Sequence, residues 1–305
     1  MNKNFRTKLR SLRQSNLYWR YAANFAPTVE QLLRRHEQRN GQLTEIAHAL
    51  KTDGVAITTA ENLWSTEFLA EIDRATNDLL KVREKEIDAM RDRVDADRTI
   101  GQKTFNLEML GSEPEFDEKS AFAKLSLSDP LLSIANTYLR MTAQLRYYNV
   151  WYTTASNGES RESQLWHYDR EDNHILKVFL YLDDVNEGSG PFVYAPGTQR
   201  GGRNTSIDPE FVMEGRVRRT TDEQMEKVFP RENWKVCTGK KGTLVFADTR
   251  GYHKGGEART GNRVMFTCMY TSPASESKKL LRFRNDFDPE SFSPEQLRAL
   301  RRRGK

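Results

Sequence analysis

Along the first 140 residues apolar positions recur every three to four residues, the period of an amphipathic helix with one buried stripe. Phe5, Leu9 and Leu12 begin the pattern with Arg6, Lys8, Arg10 and Arg13 around them, which predicts a basic helix to about residue 25. Residues 29–50 continue it, interrupted near Gly41, and residues 62–93 read as one long amphipathic helix. Asp53-Gly54 ahead of Val55-Ala56-Ile57-Thr58 reads as a turn into a short strand. Asp129-Pro130 opens a helix over 129–140, with Asp129 expected as N-cap and the proline at the first position, where its missing N–H costs nothing.

After Gln144 the period changes. Short runs rich in Val, Phe, Tyr and Thr at 145–154, 175–182, 192–195, 243–247 and 262–271 predict strands. Asn157-Gly158, Pro196-Gly197, Gly201-Gly202, Gly255-Gly256 and the glycine-rich stretch 186–190 supply the turns between them. Many short strands with such turns suit a sandwich or jelly-roll barrel. No repeat or low-complexity linker divides the chain, so the expected fold class is α+β in a single domain spanning 1–305. Residues 1–140 form its mainly helical part, packed around a β core at 141–275 with an insertion at about 203–233 that carries a helix near 222–228. Residues 276–305 form a basic tail with a helix.

With 305 residues, 37% hydrophobic, and 15 Phe, 11 Tyr and 5 Trp, the chain can bury a sizeable core, and disorder is excluded for most of it. No uncharged apolar run approaches the roughly 18 residues of a membrane span, and the N-terminus lacks the apolar stretch of a secretory signal. Cys237 and Cys268 are too few for a disulfide scaffold or a cysteine-built zinc site, so a reducing, cytoplasmic location is expected. Charge is segregated: residues 1–40 hold nine Lys/Arg against two acids and residues 278–305 nine against four, so the net +5 sits on an acidic body. Basic ends suit an anionic partner, and the first helix suits a weak membrane-surface contact, although a solvated basic face is the simpler reading. A nucleic-acid reader is expected to look different.

The residues that carry chemistry lie in the β half. In Trp166-His167-Tyr168-Asp169 the spacing of two puts His167 and Asp169 on one face of a strand, where an imidazole and a carboxylate can hold a metal. Alone this pattern is weak. Gly251-Tyr252-His253, following the strand at 243–247, supplies a second imidazole, and two His with one carboxylate is the facial ligand set of non-haem Fe(II) oxygenases. Ten residues on, Arg263 offers a guanidinium fork suited to a carboxylate.

The order His-x-Asp, strand, Gly-rich turn, Pro196-Gly197-Thr198, His253 and Arg263 resembles the phytanoyl-CoA dioxygenase family. The stretch from Lys177 to Val185, running through Gly190-Pro191-Phe192 into Ala195-Pro196-Gly197-Thr198, is similar to that family's central hairpin, and the resemblance covers about residues 144–272. It implies a double-stranded β-helix (jelly-roll, cupin-like) and a dioxygenase using Fe(II), 2-oxoglutarate and O2. The substrate would be small, lipid-linked or carrier-linked, hydroxylated with release of succinate and CO2. It further implies His167, Asp169 and His253 as iron ligands and Arg263 as anchor of the far carboxylate of 2-oxoglutarate, with Asn149, Thr267 and Lys177 as further candidates at the cosubstrate. Gln199 stands where the family commonly has His or Arg, and Gly255 where it often has Ser or Thr. Because related halogenases lack the carboxylate, Asp169 implies hydroxylation or another oxidation over halogenation.

Trp166, Phe179, Trp151 and Tyr148 are candidates for the cavity wall, residues 101–106 for a lid, and His174 for a role beside the ligands; His36 and His48 read as surface residues. No GxxxxGK[ST] loop or GxSxG elbow supports nucleotide hydrolysis or serine-hydrolase chemistry. Two alternatives remain open: a non-catalytic jelly-roll that binds a metal or ligand, and a basic protein that binds polyanions or membrane surfaces.

Overall fold

In a computed structural model, residues 15–34, 41–96, 103–215, 217–283 and 287–300 are described. The strands in chain order are β1 (Val55–Thr59), β2 (Asn106–Glu108), β3 (Glu115–Phe116), β4 (Gln144–Thr153), β5 (Leu176–Tyr181), β6 (Phe192–Tyr194), β7 (Val212–Glu214), β8 (Val217–Arg219), β9 (Lys235–Cys237), β10 (Thr243–Asp248), β11 (His253–Gly255), β12 (Arg263–Thr271) and β13 (Arg282–Phe283). A six-stranded antiparallel sheet runs in the order β1-β10-β5-β12-β4-β2, and a three-stranded antiparallel sheet in the order β11-β6-β9.

Alternation along the large sheet separates two cores. One set of side chains, including Tyr148, Val150, Val178, Leu180, Phe246 and Phe266, packs against the helices. Those helices are Gly41–Asp53, Thr66–Val82, Ala121–Ser126 and Asp129–Leu139, which contribute Leu50, Ile72, Phe122 and Leu132. The opposite set, Phe179, Tyr181, Val245, Ala247 and Met265, meets Phe192, Tyr194 and Cys237 of the small sheet, with the Phe179 and Phe192 rings 4.8 Å apart. Burying both faces explains why these strands read as near-continuous apolar runs.

Several expectations need correction. The helix at 62–93 is two helices, Thr66–Val82 and Glu84–Arg93, separated at Arg83, and Ser65 caps the first by accepting from the Phe68 amide. Asp129 lies inside its helix, and Ser128 occupies the N-cap position without a side-chain bond. The segment 203–233 holds a β7-β8 hairpin and the helix Asp222–Glu226, capped by Thr221 and Gln224. Phe5, Leu9, Leu12 and His36 lie outside the described residues.

Candidate metal centre

His167 and His253 are opposed across an isolated antiparallel bridge that continues the small sheet, each amide donating to the other's carbonyl. His167 follows the 3-10 turn Glu162–Gln164, and His253 opens β11 two residues after Gly251. Gly251 is needed there because a Cβ would run into the Tyr194 hydroxyl. The expected strand is reduced to isolated bridges at Trp166 and His167, with Asp169 in irregular backbone; even so, Tyr168 turns away to meet Tyr252 edge-on at 5.2 Å, while the donors of His167, Asp169 and His253 lie within 4.8 Å of one another. Among the described residues this is the group of His, Cys, Asp and Glu side chains close enough to share one ion.

The backbone selects the nitrogen that each histidine presents. His167 Nδ1 lies 2.8 Å from the Leu165 carbonyl and His253 Nδ1 3.0 Å from the Gly251 carbonyl. A carbonyl only accepts, so each Nδ1 carries its proton and each Nε2 is left with a free lone pair, the form that ligates a metal. Burial, joined for His167 by the neighbouring imidazole, favours the neutral rings: His167 is held well below the ordinary histidine range and His253 is lowered to about 4. For Asp169, burial alone would raise the carboxyl, but the Lys177 ammonium at 2.7 Å outweighs it and keeps the group ionised. Its backbone is pinned as well, by Asp169 N donating to the Thr249 carbonyl at 2.8 Å and Arg250 Nη1 donating to the Asp169 carbonyl at 2.7 Å.

Arg263 faces the same cavity, which is also lined by Lys103, Phe105, Asn106, Trp151, Gln164, Lys177, Phe179, Phe192 and Met265. Its guanidinium is buried and donates to the Gly190 carbonyl and to Thr153 Oγ1, while Nε has no hydrogen-bond partner. No carboxylate pairs with Arg263 among the described residues. A buried cation without a carboxylate partner is costly to keep in an apolar interior. Two neutral imidazoles, an ionised carboxylate and this guanidinium fit a ferrous ion and a keto diacid.

Other expected site residues fall elsewhere. The Asn149 amide is spent on the loop after β2: Oδ1 accepts from Leu110 N at 3.1 Å and Nδ2 donates to the Gly111 carbonyl at 2.8 Å. Thr267 sits opposite Asn149 in the β4-β12 register with its hydroxyl buried beside Tyr147, and neither residue lines the cavity. Lys177 does line it, as the partner of Asp169. Trp151 and Phe179 are wall residues; Trp166 and Tyr148 are not. Trp166 packs on Trp234 and donates to Asp222, and Tyr148 faces the helices beside Phe116. His174 belongs to a separate cluster, bonded to Asp248 at 2.8 Å with its ring tilted against that of Trp19. Residues 101–102 of the expected lid lie outside the described residues, whereas Lys103 extends its ammonium over the Trp151 ring at 5.4 Å. Sequence reasoning missed Gln164, Phe192 and Met265, which come from the turn before His167, from the small sheet and from the strand carrying Arg263.

Two facing sheets bring a two-histidine, one-carboxylate cluster that could hold one metal ion together with a buried arginine. The model of the phytanoyl-CoA dioxygenase (PhyH) family matches residues 52–265, a span that contains all four residues, and the chain belongs to this family of Fe(II)- and 2-oxoglutarate-dependent oxygenases that use O2. Among solved structures it is similar to EctD from S. alaskensis with bound Fe (TM-score 0.51, 16% identity, covering 81% of this chain and 84% of that one). The same protein with 2-oxoglutarate and 5-hydroxyectoine gives 0.50 at 17%, covering 77% and 79%. The epimerase SnoN in complex with Fe3+, alpha-ketoglutarate and nogalamycin RO gives 0.49 at 14%, covering 78% and 87%. No curated protein matches the sequence. The chain is thus an Fe(II)/2-oxoglutarate-dependent dioxygenase with a mixed helix-and-sheet fold, and no helix among its described residues is long and apolar enough to cross a membrane.

Proposed function

We propose that His167, Asp169 and His253 hold one Fe(II), that Arg263 grips the far carboxylate of 2-oxoglutarate, and that the chain hydroxylates an unactivated C–H of a small-molecule, lipid-linked or carrier-linked substrate. The observation that carries this reading is the buried Arg263 guanidinium, without a carboxylate partner among the described residues, in the cavity lined by His167 and His253, the two imidazoles that cluster with Asp169. Bound Fe(II), 2-oxoglutarate and O2 would supply the oxidising chemistry, with succinate and CO2 as coproducts. The chain's own part is to present and shield. Leu165 and Gly251 fix the imidazole tautomers, Lys177 stabilises the Asp169 carboxylate until a cation replaces it, and Phe179, Phe192, Trp151 and Met265 keep the cavity apolar between its charged ends. Asp169 occupies the position whose carboxylate favours hydroxylation over halogenation.

The two facing antiparallel sheets support a double-stranded β-helix core, and the shared hydrophobic cluster between large sheet and helices supports one domain spanning the chain. Two buried free cysteines suit a cytoplasmic setting. Anaerobic addition of Fe(II) and then 2-oxoglutarate tests the assignment. A visible charge-transfer band that is absent in His253→Ala is the expected result; no band from folded wild-type protein would overturn it.

A further inference from the structure

We infer that Arg219, on the β7-β8 hairpin of the 203–233 insertion, receives a carboxylate or phosphate group of the prime substrate, with Lys103 at the rim of the cavity as its companion cation. The inference rests on the metal-centre reading and narrows the substrate class of that site to molecules that carry an oxyanion.

The hairpin brings Arg219 to the metal ligands through the backbone. Residue 220, next after β8, forms an antiparallel bridge with Trp166: Thr220 N donates to the Trp166 carbonyl at 3.0 Å and Trp166 N to that of Thr220 at 2.9 Å. One step along that register Arg219 stands beside His167, which is itself bridged to His253. Opposed residues of antiparallel neighbours share a face, so Arg219, His167 and His253 form a row on the side of the ion site. Alternation along β8 agrees: Arg218 lies over the Phe211 ring at 4.1 Å, whereas Arg219 is only 8% exposed. The Arg219 charge accordingly acts on both imidazoles and on the Lys103 ammonium.

Hydrogen bonding selects the ligand. A guanidinium has five N–H donors, and Arg219 uses one, Nε, which donates to Glu214 Oε2 at 2.8 Å and holds the fork in place. Its side chain makes no other hydrogen bond among the described residues, and Nη1 is buried without a partner. A planar fork with free Nη donors matches the paired oxygens of a carboxylate or phosphate, and a substrate without such oxygens would leave those donors dry and unpaired. Lys103 lines the cavity with its ammonium over the Trp151 ring and forms no ion pair among the described residues. Asp169, Glu162 and Glu108 act on it electrostatically without coming within ion-pair distance, and Asp169 is already held by Lys177. With Lys177 on Asp169 and Arg263 assigned to the cosubstrate, Arg219 and Lys103 are the cations left for a second anion.

The test is nuclear relaxation in the full chain loaded with stoichiometric Mn(II) and saturating 2-oxoglutarate, reading the broadening that the paramagnetic ion imposes on inorganic phosphate, acetate and acetamide. Phosphate or acetate is expected to broaden, the stronger of the two naming the group, and neutral acetamide is not. Arg219→Gln should weaken binding of that anion about tenfold or more, and Arg219→Lys less, with 2-oxoglutarate affinity unchanged. Glu214→Gln, which removes the carboxylate that competes for the guanidinium, should tighten it and gives a second reading of opposite sign should Arg219→Gln misfold. Equal broadening of acetate and acetamide, no broadening of either anion, or broadening indifferent to both Arg219→Gln and Glu214→Gln would overturn the proposal. So would loss of 2-oxoglutarate binding in Arg219→Gln, which would give the arginine to the cosubstrate. Wild-type protein that binds neither Mn(II) nor 2-oxoglutarate would remove the metal-centre reading and this inference with it, whereas intact 2-oxoglutarate binding without anion selectivity removes this inference alone.

Discussion

His167 and His253 sit directly opposite one another, with His167 N donating to the His253 carbonyl at 3.0 Å, His253 N to that of His167 at 2.9 Å, and ring centroids 4.3 Å apart. The backbone pairing holds the two imidazoles side by side.

It follows that removing either ring should take away the metal without unzipping the bridge. His167→Ala and His253→Ala are each expected to lose Fe(II) binding and to lower 2-oxoglutarate turnover by on the order of a hundredfold or more, with a near wild-type circular dichroism spectrum. Full activity in either variant would remove that residue from the ligand set.

Lys177 is the counter-ion of Asp169 at 2.7 Å in a largely buried pair. Lys177→Met would leave the carboxylate buried and less compensated, a loss of about 3 kcal/mol in the metal-free protein. Because the Asp169 carboxyl is held below its ordinary range, the whole contribution is present at pH 7 and is lost only as pH falls through the lowered value. A bound divalent cation would compensate the Asp169 carboxylate in the ammonium's stead, so the gap in Tm between variant and wild type should narrow when Mn(II) is added in place of EDTA. A gap that metal leaves untouched would mean that Lys177 acts through packing alone.

Arg263→Ala should raise KM for 2-oxoglutarate roughly tenfold to a hundredfold, the worth of a charge-assisted contact, with a smaller effect on kcat at saturation. Steady-state succinate formation measures both constants. An unchanged KM would assign the anchor to another cation of the cavity, Lys103 or Lys177.

The strands that build the centre were legible because each is a short apolar run bounded by turn chemistry: 243–247 and 262–271 differ from β10 and β12 by one residue at one end. His167 and Asp169 were legible as candidates only in company with His253 and Arg263 further along the β half, because the spacing of two is a weak signal by itself. The wall could not be read. Trp166 and Trp151 look alike in sequence, and only the register decides that Trp151 faces the cavity while Trp166 packs on Trp234. The structural role of Asn149 was invisible for a different reason: its partners, Leu110 and Gly111, lie in an irregular loop 39 and 38 residues away that no periodicity announces.

Asn149 therefore allows a two-sided test. Its amide accepts from Leu110 N and donates to the Gly111 carbonyl, tying the loop after β2 to the centre of β4, and it lies outside the cavity lining. Asn149→Ala leaves the part-buried Leu110 amide and Gly111 carbonyl without their partner and should cost about 1 kcal/mol of stability or more, read as a lowered midpoint in urea. Since Lys103, Phe105 and Asn106 enter the cavity from the chain leading to this loop, kcat should fall modestly while KM for 2-oxoglutarate stays near wild type. A large rise in KM with an unchanged urea midpoint would instead place the Asn149 amide on the cosubstrate, with the loop contacts formed only in its absence.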